Sequence, residues 1–188
     1  MKRAAYGSLL SAALLALSFP VSPAGAADEI ARNGEFYPPA VADYGYLTIW
    51  PNSNPGIDQW KVSDGNVDVY STQLARSPYQ AVDLNGGQPG SITQVIRTTP
   101  GTTVHLTWKH TRNTYAGCAP VTEQRYNVSI EEAGLQEDHL VRGRIGNWQP
   151  AELTFKAQRS RYNLTFASDT TGVCGALISD VEGELIDS

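Results

Sequence analysis

From Trp60 to Gln94 one short pattern recurs: Trp60-Lys61-Val62, then Asn66-Val67-Asp68-Val69-Tyr70, then Ala81-Val82-Asp83-Leu84-Asn85-Gly86, then Gly90-Ser91-Ile92-Thr93-Gln94. Each run is short and rich in β-branched residues, and small or amide residues separate the runs. That is how strands half buried on a sheet are written. A chain with this period does not fold as amphipathic helices. The stretch also holds no array of nucleophile, base or metal ligands. It predicts consecutive strands of an all-β sandwich, and a recognition module rather than an enzyme.

The remaining sequence keeps the same punctuation. Strands are expected over 46–50, 67–70, 81–84, 91–97, 103–111, 123–130, 151–157, 162–167 and 176–183, with no long helical pattern between them. Thr99-Pro100-Gly101-Thr102 is the clearest turn, set between two alternating runs. Within 104–111, Val104, Leu106 and Trp108 share one face, while His105, Thr107 and Lys109 share the other. Many short strands at this spacing mean a sandwich or jelly roll. Trp108, Phe155, Tyr162 and Phe166 read as core first and as ligand platforms second.

The first residues have the form of an export signal. Lys2 and Arg3 are followed by an apolar run, Leu9 to Phe19, and then by Ala24-Gly25-Ala26. That run is shorter than the roughly 20 residues a membrane helix needs. Cleavage after Ala26 would remove 1–26 and leave 162 of the 188 residues as one β-sandwich domain, 27–188. Twelve basic and 19 acidic side chains would remain, a net charge of −7. An acidic body is a poor match for nucleic acid or an anionic membrane. With no second apolar stretch, the expected product is secreted and freely released. Cys118 and Cys174, the two cysteines of an exported chain, are expected to form one disulfide rather than to supply a catalytic thiol.

Chemistry-bearing residues are sparse. His105 and His110 are five apart on one strand and so face opposite ways, which disfavours a shared metal. His139 follows an acidic segment and reads as a solvated loop or edge. Asp83, Glu123, Glu131, Glu152 and Asp180 offer carboxylates for a glycosidase pair, but 19 acids provide such pairs by chance. Asp83 in Asp83-Leu84-Asn85-Gly86 is better explained by turn chemistry. Asn127-Val128-Ser129 and Asn163-Leu164-Thr165 match the glycosylation pattern but fall inside expected strands.

Several segments taken in order resemble the choice-of-anchor C family of secreted bacterial proteins and the plant cell-wall proteins that carry domain of unknown function 642. They are Asn33-Gly34-Glu35-Phe36, Trp60-x-Val62, Gly65-Asn66-Val67-Asp68-Val69, Ala81 to Gly86, Gly90-x-Ile92-x-Gln94 and Thr99 to Thr102. Trp148, Leu153-Thr154-Phe155, Leu164-Thr165-Phe166 and Gly175 to Val181 complete the set. The resemblance implies a galactose-binding-like β-sandwich (jelly roll), common among carbohydrate-binding modules, and a role at a cell wall or matrix. It also implies a structural calcium between the N-terminal Asn-Gly-x-Phe-Glu segment and the last strand. Here Asp180 matches that pattern, but Tyr37 stands where the Glu would be.

The loop His110 to Cys118 is the expected ligand surface, with Arg112, Asn113 and Tyr115 as its contacts. A sugar is held by an aromatic face and by planar amide or guanidinium donors, and loops on a rigid scaffold carry such groups. Trp50 in its Pro-Asn-Ser turn is a second candidate. The expected function is a secreted, non-catalytic module binding an extracellular polysaccharide or cell-envelope component. The alternative is a protein-binding adaptor or inhibitor subunit of an extracellular assembly. No cofactor is required by either reading.

Overall fold

A computed structural model describes residues 30–186, so the expected leader and its cleavage site lie outside the described residues. The strands follow the alternation closely. They are β1 (Tyr46–Ile49), β2 (Lys61–Asp64), β3 (Val67–Tyr70), β4 (Ala81–Asp83), β5 (Ser91–Arg97) and β6 (Thr103–Thr111). Then come β7 (Gln124–Ile130), β8 (Leu135–Val141), β9 (Gln149–Lys156), β10 (Arg161–Ser168) and β11 (Leu177–Ile186). One helical turn, α1 (Thr72–Ala75), is capped by the Ser71 hydroxyl, which accepts the Leu74 N–H. No helix among the described residues is long and apolar enough to cross a membrane.

Two antiparallel sheets pack face to face. One has six strands in the order β1-β3-β4-β11-β6-β9, the other five in the order β2-β5-β10-β7-β8. The opening segment therefore does not build one meander: β2 and β5 pair in the smaller sheet, while β3 and β4 pair in the larger. Thr99 to Thr102 carries the chain from one sheet to the other, and Gly101 takes φ +96° in that turn. Inner faces meet as the alternation requires. Val104, Leu106 and Trp108 of β6 oppose Tyr162, Leu164 and Phe166 of β10 in one buried cluster. Trp108 meets Phe166 edge to face at 5.4 Å.

The acidic stretch after Glu131 differs from its sequence reading. It forms β8, the outer strand of the five-stranded sheet, in which Val141 is buried and Glu137 and Asp138 are exposed. His139 sits on that edge as expected, but its ring is mostly covered rather than solvated, with 16% of the side chain exposed: it stacks on Tyr126 at 4.8 Å and 11°. His110 faces the same interior, with Nδ1 2.6 Å from the Tyr126 hydroxyl, while His105 lies on the opposite face between Glu152 and Glu184. A charged edge strand of this kind discourages strand addition from another molecule.

Outside the sandwich, a second apolar cluster of Tyr70, Ala75, Ala81 and Leu177 lies on the outer face of the six-stranded sheet. Leu74 of α1 and Trp148 cover it, and the indole N–H of Trp148 donates to the Ala75 and Arg76 carbonyls. Part of that face is thus roofed by loops, and the candidate site lies along the roof's edge.

Candidate functional site

On the outer face of β1 and β3, register pairs Tyr46 with Tyr70 and Thr48 with Asp68. On the other side of β3, Asp68 pairs with Asp83 of β4. Three loops, at Gly86-Gly87, Tyr115 to Cys118 and Val173-Cys174, close over these residues and leave a cleft of ≈ 380 Å³. Tyr46 and Tyr115 are 50% and 44% exposed. Their rings meet at 6.1 Å and 78°, forming an aromatic corner. Asp68 lies on the floor, with Oδ1 accepting the Thr48 hydroxyl at 2.6 Å. Burial pushes its carboxyl above the ordinary carboxylate range, opposed by that hydrogen bond. Gly86 allows the close approach here, since a Cβ would fall 2.5 Å from Asn66 Oδ1 and 3.1 Å from Asp68 Oδ1.

Beneath the cleft a buried polar cluster fixes the loops. Asp83 Oδ1 accepts the N–H groups of Asn85 at 2.9 Å and Gly175 at 3.0 Å. Its Oδ2 accepts Asn113 Nδ2 at 2.5 Å and the Tyr70 hydroxyl at 3.2 Å. Burial drives the Asp83 carboxyl well above its ordinary range, against the hydrogen bonds from Asn85, Asn113 and Tyr70. Burial likewise raises the Tyr70 phenol. Asp83 is 0% exposed, so no substrate reaches it. The in-register pair Asp68 and Asp83 therefore lacks the two accessible carboxylates that glycoside hydrolysis uses. Asp83 is structural, as its turn chemistry suggests.

The three expected contact residues part company. Arg112 is 8% exposed and its guanidinium is spent on backbone. It donates to the Val121, Gly143 and Ala119 carbonyls at 2.6, 2.7 and 3.0 Å. Asn113 is fully buried, its side chain bonded to Asp83 and accepting from the Tyr115 N–H and the Tyr70 hydroxyl. Both hold the loop in place from inside. Tyr115 alone of the three lines the cleft. The disulfide between Cys118 and Cys174 joins the loops on either side. Trp50 is half exposed in its turn, away from the cleft lining.

Tyr46, Thr48 and Asp68 complete the site, and sequence reasoning passed over them as strand residues. Their parity along β1 and β3 was readable, but the pairing of those strands was not.

The residues around Asp180 do not fit a resident calcium. A calcium ion takes about 6–8 oxygens. Asp180 Oδ2 instead pairs with Lys109 Nζ at 2.6 Å. Asn33 Oδ1 accepts the Tyr37 N–H, and the Gly34 carbonyl accepts the Val181 N–H. No group of three or more His, Cys, Asp or Glu side chains suited to a metal occurs among the described residues.

The fold is similar to that of TmCBM61 in complex with beta-1,4-galactotriose, with TM-score 0.50 and 12% identity over 85% of this chain and 99% of that one. It is also similar to a CBM4 structure, with TM-score 0.49 and 16% identity over 82% and 98% of the two chains. At such identities the likeness is one of fold, a carbohydrate-binding-module type of β-sandwich. A search of curated proteins gives no match. Residues 30–183 match the family model described as "Protein of unknown function (DUF642)", and the chain belongs to that family.

Proposed function

We propose that the protein is a secreted, non-catalytic module that binds an extracellular polysaccharide or cell-envelope glycan in the cleft between Tyr46 and Tyr115. One observation carries the reading: two half-exposed tyrosine rings form a corner in a cleft that is also lined by Asp68, whose Oδ1 accepts the Thr48 hydroxyl and whose Oδ2 has no hydrogen-bond partner among the described residues. Aromatic faces stack on the C–H groups of a sugar, and a carboxylate accepts its hydroxyls. Concave sites with an aromatic lining and few polar groups are the usual form of ligand pockets. Arg112 and Asn113 act in this reading by holding the Tyr115 loop. The disulfide and the leader-like first residues support an extracellular location. The narrower kinship with choice-of-anchor C proteins rests on the ordered segments alone.

Binding to an array of cell-wall glycans tests the proposal. A hit that weakens on Tyr115→Ala and on Tyr46→Ala supports it. Binding untouched by both changes moves the site elsewhere, and an array with no hit removes the ligand class. Capture from culture supernatant separates the adaptor alternative, which requires a stoichiometric protein partner rather than recovery on insoluble wall material.

A further inference from the structure

The cleft holds one acidic group and no cation of the protein's own. Asp68 is only 8% exposed, and no salt bridge among the described residues reaches it. None of the residues lining the cleft is Lys, Arg or His. On the neighbouring strand its register partner is another acid, Asp83. A desolvated carboxylate without a counter-charge costs the fold stability, and that cost is returned when a ligand brings a cation.

The surroundings suit such a cation. Tyr46 and Tyr115 stand at 78° to each other, and Tyr70 follows Tyr46 at 5.9 Å. The Tyr70 hydroxyl is held by Asp83 and Asn113, which leaves its ring as the part that lines the cleft. Tyrosine faces attract ammonium groups through the ring quadrupole, most strongly where water is excluded. The whole chain is acidic, with a net charge of −5, so its long-range field favours a cationic ligand.

We infer that the cleft takes a sugar carrying a protonated amino group, seated with the ammonium against Asp68 and the tyrosine faces. The inference rests on the cleft being a sugar site. A volume of ≈ 380 Å³ lies at the small end of ligand sites, which run from about 300 to 1,000 Å³. It suits a few sugar units rather than a long chain segment. A uronate would bring a second anion beside Asp68 and is rejected. An N-acetylated sugar keeps the shape but loses the charge, which makes it the informative comparison.

The experiment is calorimetric titration of the protein with a fully deacetylated glucosamine oligomer and with its N-acetylated counterpart, at about pH 6, where amines are charged, and again at about pH 7, where the raised Asp68 carboxyl is more fully ionised. The amine form is expected to bind about tenfold tighter or more, as a charge-assisted contact should, with an advantage that shrinks as salt is added. Asp68→Asn retains an acceptor for the Thr48 hydroxyl and should erase the advantage, weakening the amine form much more than the acetylated oligomer. Equal affinities in the unmodified protein, or an advantage that survives Asp68→Asn, overturn the ammonium assignment and leave the sugar reading standing. The comparison of the two oligomers on the unmodified protein decides the matter even if the variant does not fold. If neither oligomer binds and neutral glycans do, the assignment also falls; if no glycan binds, both readings fall together.

Discussion

Cys118 is bonded to Cys174, and each half of that bond carries one wall of the cleft: Tyr115 lies three residues before the first, Val173 one before the second. The bond closes a span of 56 residues, so its loss frees the unfolded chain. Replacing both cysteines by serine is expected to lower stability by about 2–4 kcal/mol in denaturant titration. Glycan affinity should weaken without vanishing, because the Arg112 hydrogen bonds still hold the Tyr115 loop. An unchanged denaturation midpoint would show that the bond does not constrain the fold.

Arg112 and Tyr115 should separate stability from binding. Arg112→Ala strips the Ala119, Val121 and Gly143 carbonyls of a charged donor inside the loop. A loss of about 2–4 kcal/mol is expected, as for hydrogen bonds to charged groups in a buried setting. Tyr115→Ala trims a side chain that is nearly half exposed, and stability should stay within about 1 kcal/mol of the parent. Its effect belongs in the binding isotherm. If Tyr115→Ala unfolds the protein while Arg112→Ala melts normally and loses ligand, the roles are reversed.

The contrast between these neighbours shows what the sequence could tell. The strands at 91–97 and 103–111 coincide with β5 and β6, because unbroken alternation between turn residues leaves one solution. β8 escaped because its inward parity, Leu135, Glu137, His139 and Val141, includes an acid and an imidazole, while Leu140 stands among the outward positions, so the alternation lacked clear apolar marks. The loop 110–118 was legible as a loop near the ligand surface. Its residue types were not enough to say that Arg112 and Asn113 turn inward, because that depends on carbonyls 31 and 62 positions away. Tyr46 and Asp68 needed the pairing of β1 with β3, and local periodicity does not encode which strands become neighbours.

Lys109 and Asp180 lead to a prediction about metal. The ammonium already occupies the carboxylate, at 2.6 Å, and Lys109 is held above its ordinary pKa chiefly by that hydrogen bond. Exhaustive chelation should leave the melting temperature unchanged, and added calcium should not raise it. Lys109→Ala should cost less than about 1 kcal/mol, since the lysine side chain is half exposed. A chelation-induced drop of several degrees would demonstrate a metal ion built from other oxygens.

Acid should loosen the sandwich at Tyr126. Its hydroxyl accepts the Trp108 indole N–H at 2.8 Å and, with its own hydrogen, donates to His110 Nδ1 at 2.6 Å. That arrangement requires neutral His110, and burial, with His139 beside it, lowers the His110 pKa to about 4. His139 is also lowered by burial, with Glu137 and Asp138 acting against the shift. The unfolded chain therefore binds these protons first, at about pH 6.5. Stability that is complete above that value is lost as pH falls toward about 4. Both rings are partly solvated, so screening reduces the full linkage, and a loss on the order of 2 kcal/mol is expected. Asp68 and Asp83 work in the opposite sense, because their raised values make protonation favourable to the fold. His110→Gln isolates the histidine, since its amide oxygen can accept the Tyr126 hydroxyl without titrating. Melting temperatures measured from about pH 7 to about pH 4 should fall more steeply in the parent than in the variant. Parallel profiles would exclude His110 as the source of acid sensitivity.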